Sequence, residues 1–293
     1  MCRIFAFRSR VDLKVQRSLV KAENALQLQS RKHPHGWGIA YYLTERPEPT
    51  VLKSMASAFD DDRFSRVSAF LTSHAVLAHV RKATVGDLCP ENTHPFSWGA
   101  WTFCHNGTIF GFAQIREQLE ARIHPRFLPA IGGTTDSEIL FFLVLSTLER
   151  AGYDLDAPDG VLPDTLWAEF GALLGWIRDL SARTGADPRE SMMNFVLTNG
   201  LVLLASRFNG GLSFSTQKRR CADFDVCPVV HKVCFGVRRE GVNHTHLLVA
   251  SDPTSADDVW EPIPNRGLLV VEEDLRLRVR PLEGVAGGPA WFA

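Results

Sequence analysis

Strand patterns at both ends of this 293-residue chain enclose a helical middle, and this order limits the folds available to it. Apolar or alternating runs predict strands at residues 39–43, 75–80 and 101–104. The first follows a predicted turn at 36–38, and the third ends before a predicted turn at 105–107. Strands that flank the helices, rather than alternate with them, argue against a parallel βαβ sheet. We therefore expect an α+β protein in which antiparallel sheets pack against helices.

Three segments in the middle of the chain have the residue spacing of helices. The first contains Phe112 and Leu119 on one face. The second starts at Thr135, where the residues Thr-Asp-Ser-Glu match a capping box. The third has apolar residues every three or four positions from Leu166 to Leu180. Together they predict a helical segment at about 109–186.

The C-terminal part of the chain, at 190–285, is predicted to consist mostly of strands. Residues 195–198 and 201–204 flank Asn199-Gly200, the strongest short hairpin signal. Further strands are predicted at 247–250 and 268–271. We find no internal repeat or low-complexity stretch, so we expect a single domain over residues 2–293, with strands that complete the same sheets.

Composition excludes several classes of partner. Hydrophobic residues make up 45% of the chain, charged residues 22%, and the formal net charge is −1. This balance provides no electrostatic reason to expect nucleic acid or an anionic membrane as partner, and it suits a small-molecule substrate. The longest apolar run, residues 139–145, is shorter than the ~18–20 residues of a membrane span. The N-terminus lacks the pattern of a signal peptide, which predicts a cytoplasmic protein.

The six cysteines show no CxxC pair, so the usual spacings of a structural zinc site are missing. Cys221, Cys227 and Cys234 are close enough in sequence to leave a metal cluster open as an alternative. We interpret the cysteines other than Cys2 as reduced thiols without a catalytic role.

Cys2 is the candidate nucleophile, because removal of Met1 would make it the N-terminal residue. A free α-amine has a pKa of about 7.7–8.0, so it can accept the thiol proton near neutral pH. A Cys/His pair is the alternative, with His79, His94 or His105 as the base. His79 lies in a predicted buried strand, which favours a packing role for it.

Six short motifs occur in a fixed order between residues 2 and 138. They are Met1-Cys2-Arg3, Gly36-Trp37-Gly38, His79-Val80-Arg81-Lys82-Ala83-Thr84, Glu91-Asn92-Thr93-His94-Pro95-Phe96, His105-Asn106-Gly107 and Gly133-Thr134-Thr135-Asp136-Ser137-Glu138. In this order they resemble the class II glutamine amidotransferases, which are N-terminal nucleophile hydrolases. The resemblance implies a four-layer αββα sandwich in which two antiparallel sheets stack between helical layers.

The resemblance also implies a reaction. Cys2 would attack a γ-carboxamide or γ-glutamyl amide, release an amine and form a thioester that water hydrolyses. Asn106 and Gly107 match the pair that holds the oxyanion of the tetrahedral intermediate. The enzyme would need no metal or organic cofactor.

Substrate-binding residues are carried over from the same motifs. Arg81 matches the residue that binds the substrate α-carboxylate, and its planar fork suits this group. Asp136 matches the residue that holds the α-ammonium group, and Thr84 matches a position that lines the pocket. Trp37 and Gly38 match part of a loop that covers the nucleophile.

Two departures from the family pattern bear on the function. His35 stands where relatives often have Asp before Gly-Trp-Gly, so the role of that acid is open. Lys82 and Val85 stand where amidotransferases fused to synthases typically have Trp and His, which favours the stand-alone γ-glutamyl hydrolases. Two alternatives remain: a glutaminase subunit that passes ammonia to a partner synthase, and a catalytically silent binding module.

Overall fold

A computed structural model describes residues 2–157, 160–185, 190–220, 244–282 and 284. The strands are β1 (Arg3–Lys14), β2 (Trp37–Tyr41), β3 (Thr50–Ser54), β4 (Thr72–Val80), β5 (Phe96–Trp98), β6 (Trp101–Thr108), β7 (Met192–Thr198), β8 (Leu203–Arg207), β9 (Ser213–Ser215), β10 (His246–Ala250), β11 (Glu261–Pro262), β12 (Gly267–Val271) and β13 (Leu277–Pro281). The α-helices are α1 (Leu26–Gln29), α2 (Asp62–Phe70), α3 (Phe112–Glu120), α4 (Asp136–Arg150) and α5 (Leu166–Ala182).

Two antiparallel sheets form the centre of the fold. One has seven strands in the order β11-β9-β10-β1-β4-β2-β3, and the other has six in the order β13-β12-β8-β7-β6-β5. Every pair of neighbouring strands is antiparallel. In the seven-stranded sheet, β1 lies between β4 and β10, which places the chain start at the centre of that sheet.

Alternation along each strand divides the core into three apolar layers. In β1, Ile4 faces the second sheet, whereas Phe5 faces the α1 and α2 side. In β6, Cys104 faces the first sheet, whereas Phe103 packs against α3, α4 and α5. The layers therefore run helix, sheet, sheet, helix, and the predicted αββα sandwich is confirmed.

Helix α4 lies almost wholly inside the structure, with every side chain from Asp136 to Leu148 buried. Thr135 caps its start, because the Thr135 hydroxyl accepts a hydrogen bond from the Glu138 N–H at 3.3 Å. The Glu138 carboxylate accepts from the N–H groups of Gly132 and Gly133 rather than completing the predicted capping box. These bonds fix the loop that leads into Asp136.

Two predicted turns are wrong, because tertiary strand pairing extends through both segments. Residues 105–107 lie inside β6, where Asn106 is opposite Asn194 and Gly107 is opposite Met193 of β7. Trp37 begins strand β2, opposite Val80 of β4. A local turn preference is weaker than the pairing that each neighbouring strand provides.

The predicted hairpin at Asn199-Gly200 is present but has a longer loop. Strand β7 ends at Thr198 and β8 begins at Leu203, so residues 199–202 form the connection. The Asn199 Oδ1 atom accepts hydrogen bonds from the N–H groups of the third and fourth loop residues at 3.0 and 2.9 Å. This side chain closes the wider turn.

Two further expectations concern the chain as a whole. The three cysteines considered for a metal cluster, Cys221, Cys227 and Cys234, lie outside the described residues. Within the described part of the chain, no helix is long and apolar enough to cross a membrane. The single-domain boundaries remain a prediction.

Candidate active site

Cys2 lies directly before β1 and contacts the segment that leaves β4. Its partly buried Sγ atom accepts a hydrogen bond from the Lys82 N–H at 3.3 Å and lies 3.6 Å from the Lys82 carbonyl oxygen. Arg3 donates to the Cys2 carbonyl oxygen at 3.0 Å and forms an ion pair with Asp252. The candidate nucleophile is thus held through both its side chain and its backbone.

Burial raises the pKa of the Cys2 thiol above its ordinary value. The hydrogen bond from Lys82 and the positive charge of Arg81 lower this pKa in part, whereas the negative charge of Asp136 raises it. A thiol in such surroundings stays protonated at neutral pH, so attack on a substrate requires a base.

Arg81 is a buried cation whose hydrogen-bond partners are neutral backbone carbonyl groups. It is 3% exposed, and its guanidinium donates to the carbonyl oxygens of Val85 and Asp87 at 3.2 Å and of Gly86 at 3.5 Å. Over the described ranges it forms no ion pair. Burial lowers the pKa of its guanidinium, which reflects the cost of a charge without a counterion. A site of this kind favours an anionic ligand group.

Asp136 is the matching buried anion. It is the first residue of α4 and is 3% exposed. Its carboxylate accepts hydrogen bonds from the Ile109 N–H at 2.8 Å and from the Ser137 hydroxyl at 3.3 Å. It too forms no ion pair with any described residue. Arg81 and Asp136 both act on the pKa of Cys2, yet they do not pair with each other.

Asn106 lies on the inner face of β6, the face that also carries Cys104. Its Nδ2 atom donates to the Ser251 hydroxyl at 3.0 Å, and its buried Oδ1 has no partner among the described residues. Strand β5 pairs with β6 only from residue 101 to residue 103. The backbone edge of β6 at Asn106 and Gly107 therefore extends beyond β5.

Gly107 occupies a position that excludes any side chain. A Cβ atom on Gly107 would lie 1.8 Å from the Met192 carbonyl oxygen of the neighbouring strand. The same atom would lie 2.5 Å from Nε2 of His105. Close approach of β7, rather than a turn, thus requires glycine here.

The two other predicted substrate contacts, Thr84 and Gly38, lie in different surroundings. Thr84 is exposed, and its hydroxyl lies 3.4 Å from the Thr108 hydroxyl, one residue beyond Gly107. Gly38 is on the inner face of β2, where a Cβ atom would lie 2.0 Å from the His94 carbonyl oxygen. Its absent side chain makes room for the loop at His94.

That Trp37 covers the nucleophile stays a prediction, and the described contacts of its side chain lie elsewhere. Its indole belongs to the outer apolar layer, where it packs edge-on against Phe64 with ring centroids 5.3 Å apart. Its Nε1–H donates to the Asp61 carboxylate at 3.0 Å. Alternation in β2 turns this side chain away from the inner face, so we omit Trp37 from the proposed substrate contacts.

None of the three candidate histidine bases bonds to the Cys2 thiol, whose hydrogen bonds over the described residues involve Lys82 alone. The rings of His79 and His94 stack with centroids 4.1 Å apart, and burial lowers the pKa of His79 to about 3. His105 contacts the Ser137 hydroxyl at 2.8 Å on the helical side of its sheet. The geometry thus does not support a Cys/His pair.

His35 stands where relatives often have Asp, and its ring provides a hydrogen-bond acceptor at that position. Its Nδ1 atom accepts from the Ala83 N–H at 3.0 Å, and its own N–H donates to the Arg81 carbonyl oxygen at 3.0 Å. The residue therefore holds the segment between Arg81 and Thr84. The His35 Nδ1 atom provides the acceptor that a carboxylate would otherwise supply.

Two residues near the site were missed in the sequence. Asn92 lies inside a quoted motif but had no assigned role, and it hydrogen-bonds to both Asp87 and Thr134. Ser251 belongs to no motif: the pairing of β10 with β1 brings it to Ile4, and the stacking of the two sheets brings it to Asn106. The motif could have drawn attention to Asn92, whereas no sequence signal identifies Ser251.

Comparison with known proteins identifies the family. Residues 1–280 match the family model described as glutamine amidotransferases class-II. The probable glutamine amidotransferase DUG3 of Saccharomyces cerevisiae is 29% identical over 93% of this chain and 82% of its own length. The putative glutamine amidotransferase YafJ of Escherichia coli is 32% identical over 79% of this chain and 82% of its own.

A third relative has a more specific name, and a solved structure shares the fold. The gamma-glutamyl-hercynylcysteine sulfoxide hydrolase of Mycobacterium tuberculosis is 27% identical over 81% of this chain and 75% of its own. A glutamine aminotransferase class-II domain protein from Silicibacter pomeroyi superposes with a TM-score of 0.63 at 20% identity, covering 96% of this chain and 99% of that one.

Proposed function

Because the chain belongs to the class II glutamine amidotransferases, we propose that it hydrolyses the γ-amide of glutamine or of a small γ-glutamyl compound. The proposal rests on the opposite charges of Arg81 and Asp136, which are both buried and do not pair with each other. Arg81 suits an α-carboxylate and Asp136 suits an α-ammonium group, and both influence the thiol of Cys2. A glutamyl group has both charges at one end and the amide at the other, so binding would satisfy both buried residues.

The reaction begins with a proton transfer from the thiol. After loss of Met1, the α-amine of Cys2 accepts this proton, and the sulfur attacks the amide carbon. A carbon–sulfur bond forms, and the oxyanion receives hydrogen bonds from the Asn106 side chain and the Gly107 N–H. The carbon–nitrogen bond then breaks, and the amine leaves with the proton. Water cleaves the thioester to release the γ-carboxylate and restore the thiol.

Thr84 would line the same pocket, because its hydroxyl contacts that of Thr108, one residue beyond Gly107. The name of the Mycobacterium tuberculosis relative supports γ-glutamyl compounds as substrates besides glutamine. Delivery of ammonia to a partner synthase stays the alternative, and it predicts a site that reacts with glutamine analogues but turns over slowly when alone.

Glutamate release from glutamine and from a series of γ-glutamyl amides tests the proposal. We expect turnover by the wild type and its loss in Cys2→Ala, since the nucleophile is removed. Cys89→Ala is the matched control, because this partly buried thiol has no role in the mechanism and the variant should keep full activity. Turnover by Cys2→Ala at the wild-type rate would contradict the proposal.

A further inference from the structure

Ser251 connects the strand of the nucleophile with the proposed oxyanion residue. It directly follows β10, is 6% exposed, and its N–H donates to the Ile4 carbonyl oxygen at 3.0 Å. Its hydroxyl oxygen accepts from the Ile4 N–H at 3.1 Å and lies 3.0 Å from Nδ2 of Asn106. One hydroxyl thus contacts both the residue two positions after Cys2 and the Asn106 carboxamide.

The two orientations of the Asn106 carboxamide differ in what they offer a substrate. With Nδ2 toward Ser251, one N–H of the amide donates to the hydroxyl, and Oδ1 is buried without a partner among the described residues. An unpaired buried acceptor is unfavourable, because it has lost its hydrogen bond to water. After a rotation of 180°, the Ser251 hydroxyl donates to Oδ1, and both Nδ2 hydrogens become available.

The rotated orientation offers both Nδ2 hydrogens to an oxyanion, whereas the orientation with Nδ2 toward Ser251 leaves only one. The hydroxyl of Ser251 can support the rotated orientation, because a hydroxyl that accepts from the Ile4 N–H still has its own hydrogen to donate. The Nδ2 donors would then find their partner when negative charge develops on the substrate oxygen. An interaction formed mainly in the transition state increases kcat rather than substrate affinity.

We propose that Ser251 is a positioning residue that orients the Asn106 carboxamide, with its NH2 group toward the oxyanion. This inference rests on the proposed function, because it assigns Ser251 a part in the same reaction. The alternative is a purely structural role, in which the hydroxyl only holds the Ile4 N–H and stabilises the start of β1.

Steady-state kinetics of Ser251→Ala and Ser251→Thr on the best γ-glutamyl substrate separate these roles. We expect Ser251→Ala to lower kcat about tenfold or more, with KM within about threefold of wild type. This kcat loss should be smaller than the about 10²–10³-fold loss that follows removal of an oxyanion donor. Ser251→Thr keeps the hydroxyl and should restore most of kcat. Ser206→Ala removes a buried hydroxyl that has no partner among the described residues, and it should keep wild-type kinetics.

The double variant Ser251→Ala with Asn106→Ala provides the decisive comparison. If Ser251 acts through Asn106, the double variant should be no slower than Asn106→Ala alone. Multiplied losses in the double variant, a kcat of Ser251→Ala near wild type, or equal kcat in the Ala and Thr variants would overturn the inference. Failure of the proposed function is distinct, because the wild type would then neither turn over nor react with a glutamine analogue at Cys2.

Discussion

Asn92 and Thr134 are joined by two hydrogen bonds, from the Asn92 Nδ2 to the Thr134 hydroxyl at 3.1 Å and from the Thr134 N–H to the Asn92 Oδ1 at 2.8 Å. Asn92 also donates to the Asp87 carbonyl oxygen, which accepts from Arg81 as well. Thr134 lies two residues before Asp136. The 2% exposed Asn92 side chain therefore couples the loop that holds the buried cation to the loop that leads to the buried anion.

Replacing Asn92 with Ala should weaken substrate binding more than it slows the chemical step. We expect KM to rise about tenfold with kcat changed less than threefold, because the two charged residues lose their fixed separation. Steady-state kinetics measure both constants. Asn265→Ala is the control, since Asn265 makes similar hydrogen bonds to Asn209 and Arg266 in a different loop. A rise in KM in both variants would contradict a specific role for Asn92.

Replacing Arg81 with Met should remove ligand binding without unfolding the protein. Loss of a buried charged partner costs about 2–5 kcal/mol, so kcat/KM should fall by about 1.5 to 3.5 orders of magnitude. Glutamate should raise the Tm of the wild type, because a ligand that binds only the folded state stabilises it, and should leave the Tm of Arg81→Met unchanged. An equal Tm increase in both proteins would show that Arg81 does not bind the carboxylate.

Replacing Gly38 with Ala should destabilise the fold, because the new Cβ atom would lie 2.0 Å from the His94 carbonyl oxygen. Overpacking of a core costs about 1–3 kcal/mol, and here the obstacle is backbone. Gly132→Ala is the matched control, since a Cβ atom there meets no atom within 4 Å. Urea unfolding of the two variants should show a large loss only for Gly38→Ala, and equal stabilities would refute the predicted clash.

Much of the fold could be predicted from local sequence. Helix α4 begins where Thr135 predicts its cap, since capping depends on residues within one turn. The segment at Asn106-Gly107 was predicted as a turn, because its true conformation depends on pairing with Asn194, far along the chain. The turn predicted at 36–38 is wrong for a related reason, because the start of β2 at Trp37 depends on pairing with β4.

The candidate site shows the same division between local and distant information. Cys2, Arg81 and Asp136 could be identified because each lies within a short motif. Ser251 could not, because it reaches Asn106 only through the order of strands in one sheet and the stacking of the two sheets. Contacts of this kind depend on residues more than 100 positions apart, which no local pattern encodes.

Acid should destabilise the protein through its buried histidines. Burial lowers the pKa of His79 from 6.5 to about 3 and that of His33 to about 4. The unfolded chain takes up these protons first as the pH falls, so stability is full above pH 6.5 and declines toward pH 3. Between pH 7 and pH 4, the Tm of His79→Phe should fall less steeply than that of the wild type, because the variant lacks the one proton that His79 takes up on unfolding. Parallel curves for wild type and His79→Phe would contradict this assignment.

Intact mass before and after incubation with 6-diazo-5-oxo-norleucine tests most directly whether Cys2 is an N-terminal nucleophile that accepts a glutamyl group. We expect the purified protein to lack Met1 and to gain a single adduct that peptide mapping places on Cys2, with no adduct in Cys2→Ala. An unmodified protein that retains Met1, or an adduct that persists in Cys2→Ala, would contradict the proposed nucleophile.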